Sequence, residues 1–180
     1  MLEQSDTLKT KKIELFIDVA SELKQIGNYN QLMAMILALN SAAVSRCKTS
    51  WAQIKPGKKR QLEEIEQIMN MDSNYKAYRE IYQYKLKNEE LFIPFLGLFL
   101  KDLVFLNDGN PKKLNDLINF SKLNMFRIKL EELERFQSRK INFTIDSDVT
   151  LFKQYISNAK ILNSDQIYNL SRKTYNATTQ

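Results

Sequence analysis

Little in this chain of 180 residues is equipped to make or break a covalent bond. There is no histidine, which excludes a Ser-His-Asp triad, a Cys-His dyad and a histidine-ligated zinc. The one cysteine, Cys47, supports neither a disulfide framework nor a four-cysteine site and reads as a small buried apolar residue. The four glycines, Gly27, Gly57, Gly97 and Gly109, stand too far apart for a GxGxxG turn or a phosphate-cradling P-loop. Neither a metal nor a cofactor is expected. What remains is a carboxylate at the end of an apolar run. Val104 and Asp108 are spaced i, i+4, so a helix places both on one face. Taken alone, Asp108 would be a helix-end turn former.

Helices must position that pair, because the apolar residues recur with helical period almost throughout. Ile13, Phe16, Ile17, Ala20 and Leu23 form one stripe, with Lys11, Glu14, Asp18 and Glu22 for the wet side and Gly27-Asn28 as the stop. A second helix over about 29–40 has two apolar sides, one through Leu32, Met35, Ile36 and Leu39 and one through Met33, Leu37 and Asn40, which predicts a central place in the core. A turn at Lys55-Pro56-Gly57-Lys58 precedes a helix marked by Leu62, Ile65, Ile68 and Met69. A tyrosine-rich helix with Tyr75, Tyr78 and Tyr82 follows. The run Leu91–Leu106 then covers nearly every azimuth, so it should be buried all round by its own domain or by a partner, with Phe99, Leu100 and Leu103 as packing residues.

The break Asn107–Pro111 is read as a tight helix-to-helix tip. Gly109 takes the left-handed position, Asn110 the N-cap and Pro111 the first helical position. A long helix carrying Leu114, Leu117 and Ile118 and reaching Phe136 completes an αα-hairpin. Ile141–Ile145 alternates like a short strand, and two last helices are expected over 147–160 and 164–173. The fold class is all-α, an irregular helical domain with a protruding αα-hairpin. Its bounds are a disordered or frayed N-terminus over 1–12, the domain over 13–174 and a tail over 175–180.

Composition narrows the partners. Lys and Arg number 27 against 21 Asp and Glu, a net charge of +6 that is a mild tilt toward anionic surfaces or acidic proteins. The basic residues are scattered among acids rather than clustered, which argues against nucleic acid. Lys59 and Arg60 pair by spacing with Glu63 and Glu64, as on a solvated face. The N-terminal segment lacks the apolar core of a signal peptide. The longest apolar run is broken by Lys101-Asp102 and falls short of the roughly 20 residues needed to cross a bilayer. A cytoplasmic setting is the default expectation, with recruitment to the inner membrane surface left open.

The string IPFLGLFLKDLVFLNDGNP (Ile93 to Pro111), followed by LINFSK (Leu117 to Lys122), resembles the catalytic hairpin of the Ras-family guanine-nucleotide exchange factors, the RasGEF domain. Upstream, Phe16 to Trp51 is similar to that family's FI-x-x-A…NFN…AL-x-S block, Tyr75 and Tyr78-Arg79 to its Y-x-x-YR helix, and Gln166 to Ser171 to its closing helix. The motifs are collinear over about Ile13 to Arg172. The resemblance implies an exchange factor for a Ras-like small GTPase rather than an enzyme with bond chemistry, and no small-molecule substrate. Its hairpin would wedge open the nucleotide site. By the same resemblance, Val104 would stand against the magnesium site and Asp108 where phosphate stood. Met33, Tyr75 and Phe95 would line the pocket for the second switch, and Lys101 and Asn40 would support or touch the hairpin contact.

Departures from the family pattern matter as much. The basic run after INFSK is replaced by Leu123-Asn124-Met125, Asp108 is one methylene shorter than the usual glutamate, and Lys101 stands where a small hydroxyl residue is common. The family's first helices have no counterpart in residues 1–12. These features support an alternative, a catalytically inactive GTPase-binding or scaffolding remnant of the same family.

Overall fold

The computed structural model describes residues 5–137 and 148–178. Among them the chain is all-α apart from one pair of two-residue strands. The expected strand over 141–145 lies outside the described residues. The chain divides into two compact units, one of residues 15–38 and 55–140, the other of 1–14, 39–54 and 141–180.

The larger unit is built around aromatic rings. Helix α1 (Asp6–Gln25) enters it with Ile17 and Ala20 fully buried. It ends where Gly27 turns left-handed (φ 74°). The amide of Asn28 donates to Leu23 O at 2.8 Å and that of Gly27 to Lys24 O at 3.1 Å, which satisfies carbonyls the helix leaves open. A side chain at Gly27 would be strained, because φ is left-handed and a Cβ there would lie 3.0 Å from Phe92 Cβ. That close approach lets Ile93 pair with the chain beside it, its amide donating to Gly27 O at 2.9 Å and its carbonyl accepting from Tyr29 at 3.0 Å. The segment leading to the hairpin is thus stitched to the start of α2 (Tyr29–Leu39).

Helix α2 buries Leu32, Met33, Ile36 and Leu39, while Leu37 is exposed, so its second apolar side is only half used. Helix α5 (Pro56–Ile68) adds Leu62 and Ile65. A 3₁₀ turn (Asp72–Asn74) leads into α6 (Lys76–Lys87), and Ser73, Asn74 and Tyr75 all have left-handed dihedrals there, with φ of 50°, 58° and 59°. Tyr29, Tyr78, Tyr82, Phe92 and Phe136 meet edge to face, with centroids 4.5 Å apart for Phe92 and Phe136 and 5.3 Å for Tyr29 and Tyr78. Such pairs contribute about 0.5–1.5 kcal/mol each beyond the area they bury. The phenols are satisfied as well. Tyr78 Oη accepts from the Phe95 amide at 2.8 Å, just ahead of the next helix, and Tyr82 Oη donates to Glu132 at 2.9 Å.

The smaller unit holds the start of α1, the short helices α3 (Ala42–Ser45) and α4 (Lys48–Ala52), α9 (Asp148–Ser157) and α10 (Ser164–Thr178). Here the sequence expectation is corrected at both ends. Helix α1 begins at Asp6, not at 13, and residues 6–12 are helical because they are tied down. The Thr10 hydroxyl donates to Ser50 O at 3.1 Å, and the Ser50 hydroxyl to Asp6 Oδ1 at 3.2 Å. Helix α10 continues past 174 to Thr178. Arg46 donates to Ser171 Oγ at 2.7 Å and lies 5.2 Å from the Tyr168 ring, which joins α10 to the chain after α3. Cys47 is buried, as its chemistry suggested, and burial pushes its thiol pKa up.

Candidate functional site

The expected hairpin is present, with a different tip. Its first arm is α7 (Leu96–Asp108) and its second is α8 (Phe120–Gln137). Between them lies a small antiparallel ladder, β1 (Lys113–Leu114) and β2 (Leu117–Ile118), in place of a tight helix-to-helix turn. Asn115 and Asp116 form its two-residue loop with φ of 49° and 64°, dihedrals their short polar side chains tolerate. Leu114, Leu117 and Ile118 are therefore strand residues, not helical ones. Gly109 is right-handed (φ −77°), so it does not close α7 by a left-handed turn. Nor does Asn110 begin a helix, since its Nδ2 donates back to Leu106 O at 2.9 Å.

Two buried polar residues hold this tip together. Asn119 caps α8, its Oδ1 accepting from the Lys122 amide at 3.1 Å while its Nδ2 donates to Pro111 O at 3.0 Å. Lys122 reaches across and donates to Asn107 O at 2.7 Å and Asn110 O at 2.8 Å. A cation on carbonyls at a helix C-terminus is the favourable arrangement for the backbone dipole. Both residues lie in the LINFSK string, but nothing in their types alone announced a clamp.

On α7 only one face is covered. Leu98 and Phe99 are buried, whereas Val104 and Phe105 are 56% and 61% exposed and Leu100 is exposed too. Its own domain therefore covers only one of the faces expected to be buried by the domain or by a partner, and the expectation that Leu100 is packing is corrected. Its amphipathicity is hidden because the outer face is also apolar. Val104 and Asp108 share that exposed face, as their spacing required, and Asp108 Oδ1 accepts from Asn107 Nδ2 at 3.1 Å. The ladder extends the apolar surface, with Leu117 74% and Phe120 73% exposed. These residues were missed as surface candidates. Leu123, Asn124 and Met125 are exposed at the start of α8.

The other expected site residues fall into two groups. Met33 and Tyr75 are buried in one hydrophobic cluster, and Phe95 packs against it with its ring 5.8 Å from that of Tyr75. Lys101 Nζ lies 5.8 Å from the Tyr75 ring and 5.5 Å from the Phe105 ring, and donates to Asn74 Oδ1 at 3.3 Å. Met33, Tyr75, Phe95 and Lys101 thus gather at the root of α7. Asn40 lies in the smaller unit, where its carbonyl accepts from Ser45 Oγ at 3.3 Å. Among the described residues no group of acidic or cysteine side chains could hold a metal, and no helix is long and apolar enough to cross a membrane.

A helical body whose two-helix projection presents an apolar face ending in a carboxylate fits the class suggested by the sequence. The RasGEF domain model matches residues 1–124, and the chain belongs to that family. It is 31% identical over 92% of its length to human Rap guanine nucleotide exchange factor 5, of which it covers 28%. It is 33% identical over 89% of its length to zebrafish (Danio rerio) Ras-GEF domain-containing family member 1B-A, covering 32% of that protein. With Ras guanine nucleotide exchange factor M of Dictyostelium discoideum it shares 32% identity over 90% of its length and covers 18%. The chain therefore spans less than a third of the length of these relatives.

Proposed function

We propose that this chain is a guanine-nucleotide exchange factor for a Ras-like small GTPase, whose α7–α8 hairpin wedges open the nucleotide site so that GDP leaves. The observation that carries the reading is the exposed face of α7, where apolar Val104 and the carboxylate of Asp108 stand one turn apart. Val104 next to the magnesium site offers the ion no oxygen ligand. Asp108 offers a carboxylate to the cation and backbone N–H groups that had held phosphate. Each tenfold acceleration requires lowering the barrier by about 1.4 kcal/mol. Two side chains do not supply several decades, so the remainder comes from interface energy realised only once the GTPase is opened. Leu117, Ile118 and Phe120 extend the apolar contact surface. No covalent bond is made or broken. The net charge of +6 favours working near an anionic membrane surface, with the GTPase anchored there.

The test is release of a fluorescent guanine nucleotide from a panel of Ras, Rap and Ral types, with the chain substoichiometric. Acceleration that is lost in Val104→Asp and Asp108→Ala supports the reading; full activity in both variants removes these residues from the mechanism. A second reading, an inactive GTPase-binding remnant, is favoured by Leu123-Asn124-Met125, three positions of α8 that carry no cation where a steering contact would lie. It predicts binding to the nucleotide-free GTPase with no faster release.

A further inference from the structure

The exposed face lies at the outer end of the hairpin, while a cluster of charged groups sits at its root. Arg79 of α6 forks onto Asp102 of α7, with Nη1 to Oδ2 at 2.9 Å and Nη2 to Oδ1 at 2.6 Å. Lys129 of α8 stands 3.6 Å from Asp102 Oδ2 and 2.9 Å from Glu132 Oε2. Tyr82 of α6 donates to the same Glu132 oxygen at 2.9 Å. Lys129 Nζ is sandwiched further by the rings of Tyr82 at 5.4 Å and Phe99 at 5.6 Å. One network of alternating charge therefore joins three helices. Burial alone would raise the Asp102 pKa, but the hydrogen bonds and charge of Arg79, joined by Lys129, outweigh it and hold the carboxyl below its ordinary value.

Apolar packing does not close this region. A cavity of about 180 Å³ lies beside the network, bounded also by Gln83, Pro94, Phe95 and Leu98, so the root of α7 has room to shift. A planar guanidinium forked onto a carboxylate fixes direction as well as distance, which loose packing does not. The pair is half-exposed, and ion pairs add little net stability whether exposed or buried, so orientation is the stronger account of this one. The lever is long enough to matter. Asp102 and Asp108 are roughly 9 Å apart along the helix axis, and a tilt of about 10° at Asp102 moves the tip by roughly 1.6 Å. A displacement of about 1 Å at a reacting centre can cost on the order of 10²-fold in rate.

We infer that Arg79, Asp102, Lys129, Glu132 and Tyr82 form a positioning network that sets the angle of the α7–α8 hairpin for exchange. This rests on the exchange reading above; the five side chains are positioning residues, acting through Val104 and Asp108. In the full chain, Asp102→Asn and Arg79→Met are expected to lower kcat for nucleotide release by about 10-fold or more, with the half-saturating GTPase concentration changed by less than about 2-fold. Arg79→Lys keeps the charge and loses the fork, and is expected to resemble Arg79→Met. The double variant should be no slower than the slower single. Spin labels at Glu80→Cys and Asp116→Cys in a Cys47→Ala background report the angle directly, and each network variant should broaden or shift that distance distribution.

An unchanged distribution, a kcat within about 2-fold of the parent, or a loss confined to half-saturation overturns the proposal. If Asp102→Asn does not fold, Arg79→Lys decides. A parent chain that speeds release from no GTPase of the panel overturns the exchange reading itself and the catalytic half of this proposal. The spin-label distances then uphold or overturn the mechanical half on their own.

Discussion

The two ends of the α7–α8 hairpin are made from opposite materials. At the root, half-buried charges pair with one another and with the phenol of Tyr82, beside a ring cluster that includes Tyr82, Phe92 and Phe136. At the tip, leucine, isoleucine and phenylalanine face solvent, and the backbone is held by one lysine and one asparagine. In a chain that acted alone this would be inverted, since exposed apolar surface gains nothing until a partner covers it. The contrast fits the proposals made above, in which the tip makes the contact and the root holds its direction.

Four substitutions or conditions test that contrast, in falling order of their effect on stability. Phe92→Ala removes a ring that touches Tyr29, Tyr82 and Phe136, and should cost about 3–5 kcal/mol in denaturant unfolding. A cost below about 1 kcal/mol would mean the root is not the rigid end. Lys122→Met leaves the carbonyls of Asn107 and Asn110 without their cation, at roughly 1–3 kcal/mol. Amide hydrogen exchange over 107–119 should accelerate while α6 stays protected.

The third test is acid. Because the folded pKa of Asp102 is lowered, its contribution is complete above the ordinary carboxylate value and fades as pH falls through the lowered one. The gap in thermal midpoint between the parent chain and Asp102→Asn should therefore be constant near neutrality and close below about pH 4. A gap that persisted at low pH would assign the effect to shape rather than charge. The smallest effect on stability belongs to the tip. Asp108→Ala should change unfolding by no more than about 0.5 kcal/mol while nucleotide release falls.

Much of this arrangement was legible. The i, i+4 spacing of Val104 and Asp108 survives intact on α7, and Tyr78 and Tyr82 pack as their spacing on α6 required. The tip was not legible, for a definite reason. Leu114, Leu117 and Ile118 are spaced i, i+3, i+4, which suits a helix face and equally suits two short strands around a two-residue loop. Only the Asn115-Asp116 pair separates the two, and both residues are also acceptable on a helix surface. The exposed side of α7 was hidden differently, because an apolar outer face has the same composition as a core-facing one.

The bend before α6 carries a practical consequence. Three adjacent residues without glycine's freedom, Ser73, Asn74 and Tyr75, sit in a conformation that disfavours a side chain by about 1–2 kcal/mol each. The Asn74 side chain accepts from Lys101 and its carbonyl from Arg79, while Tyr75 is part of the core. Ser73 is exposed and carries no such duty among the bonds described. Anyone engineering a heat-tolerant form of this protein would begin with Ser73→Gly, which relieves the local torsion and leaves every neighbouring contact in place.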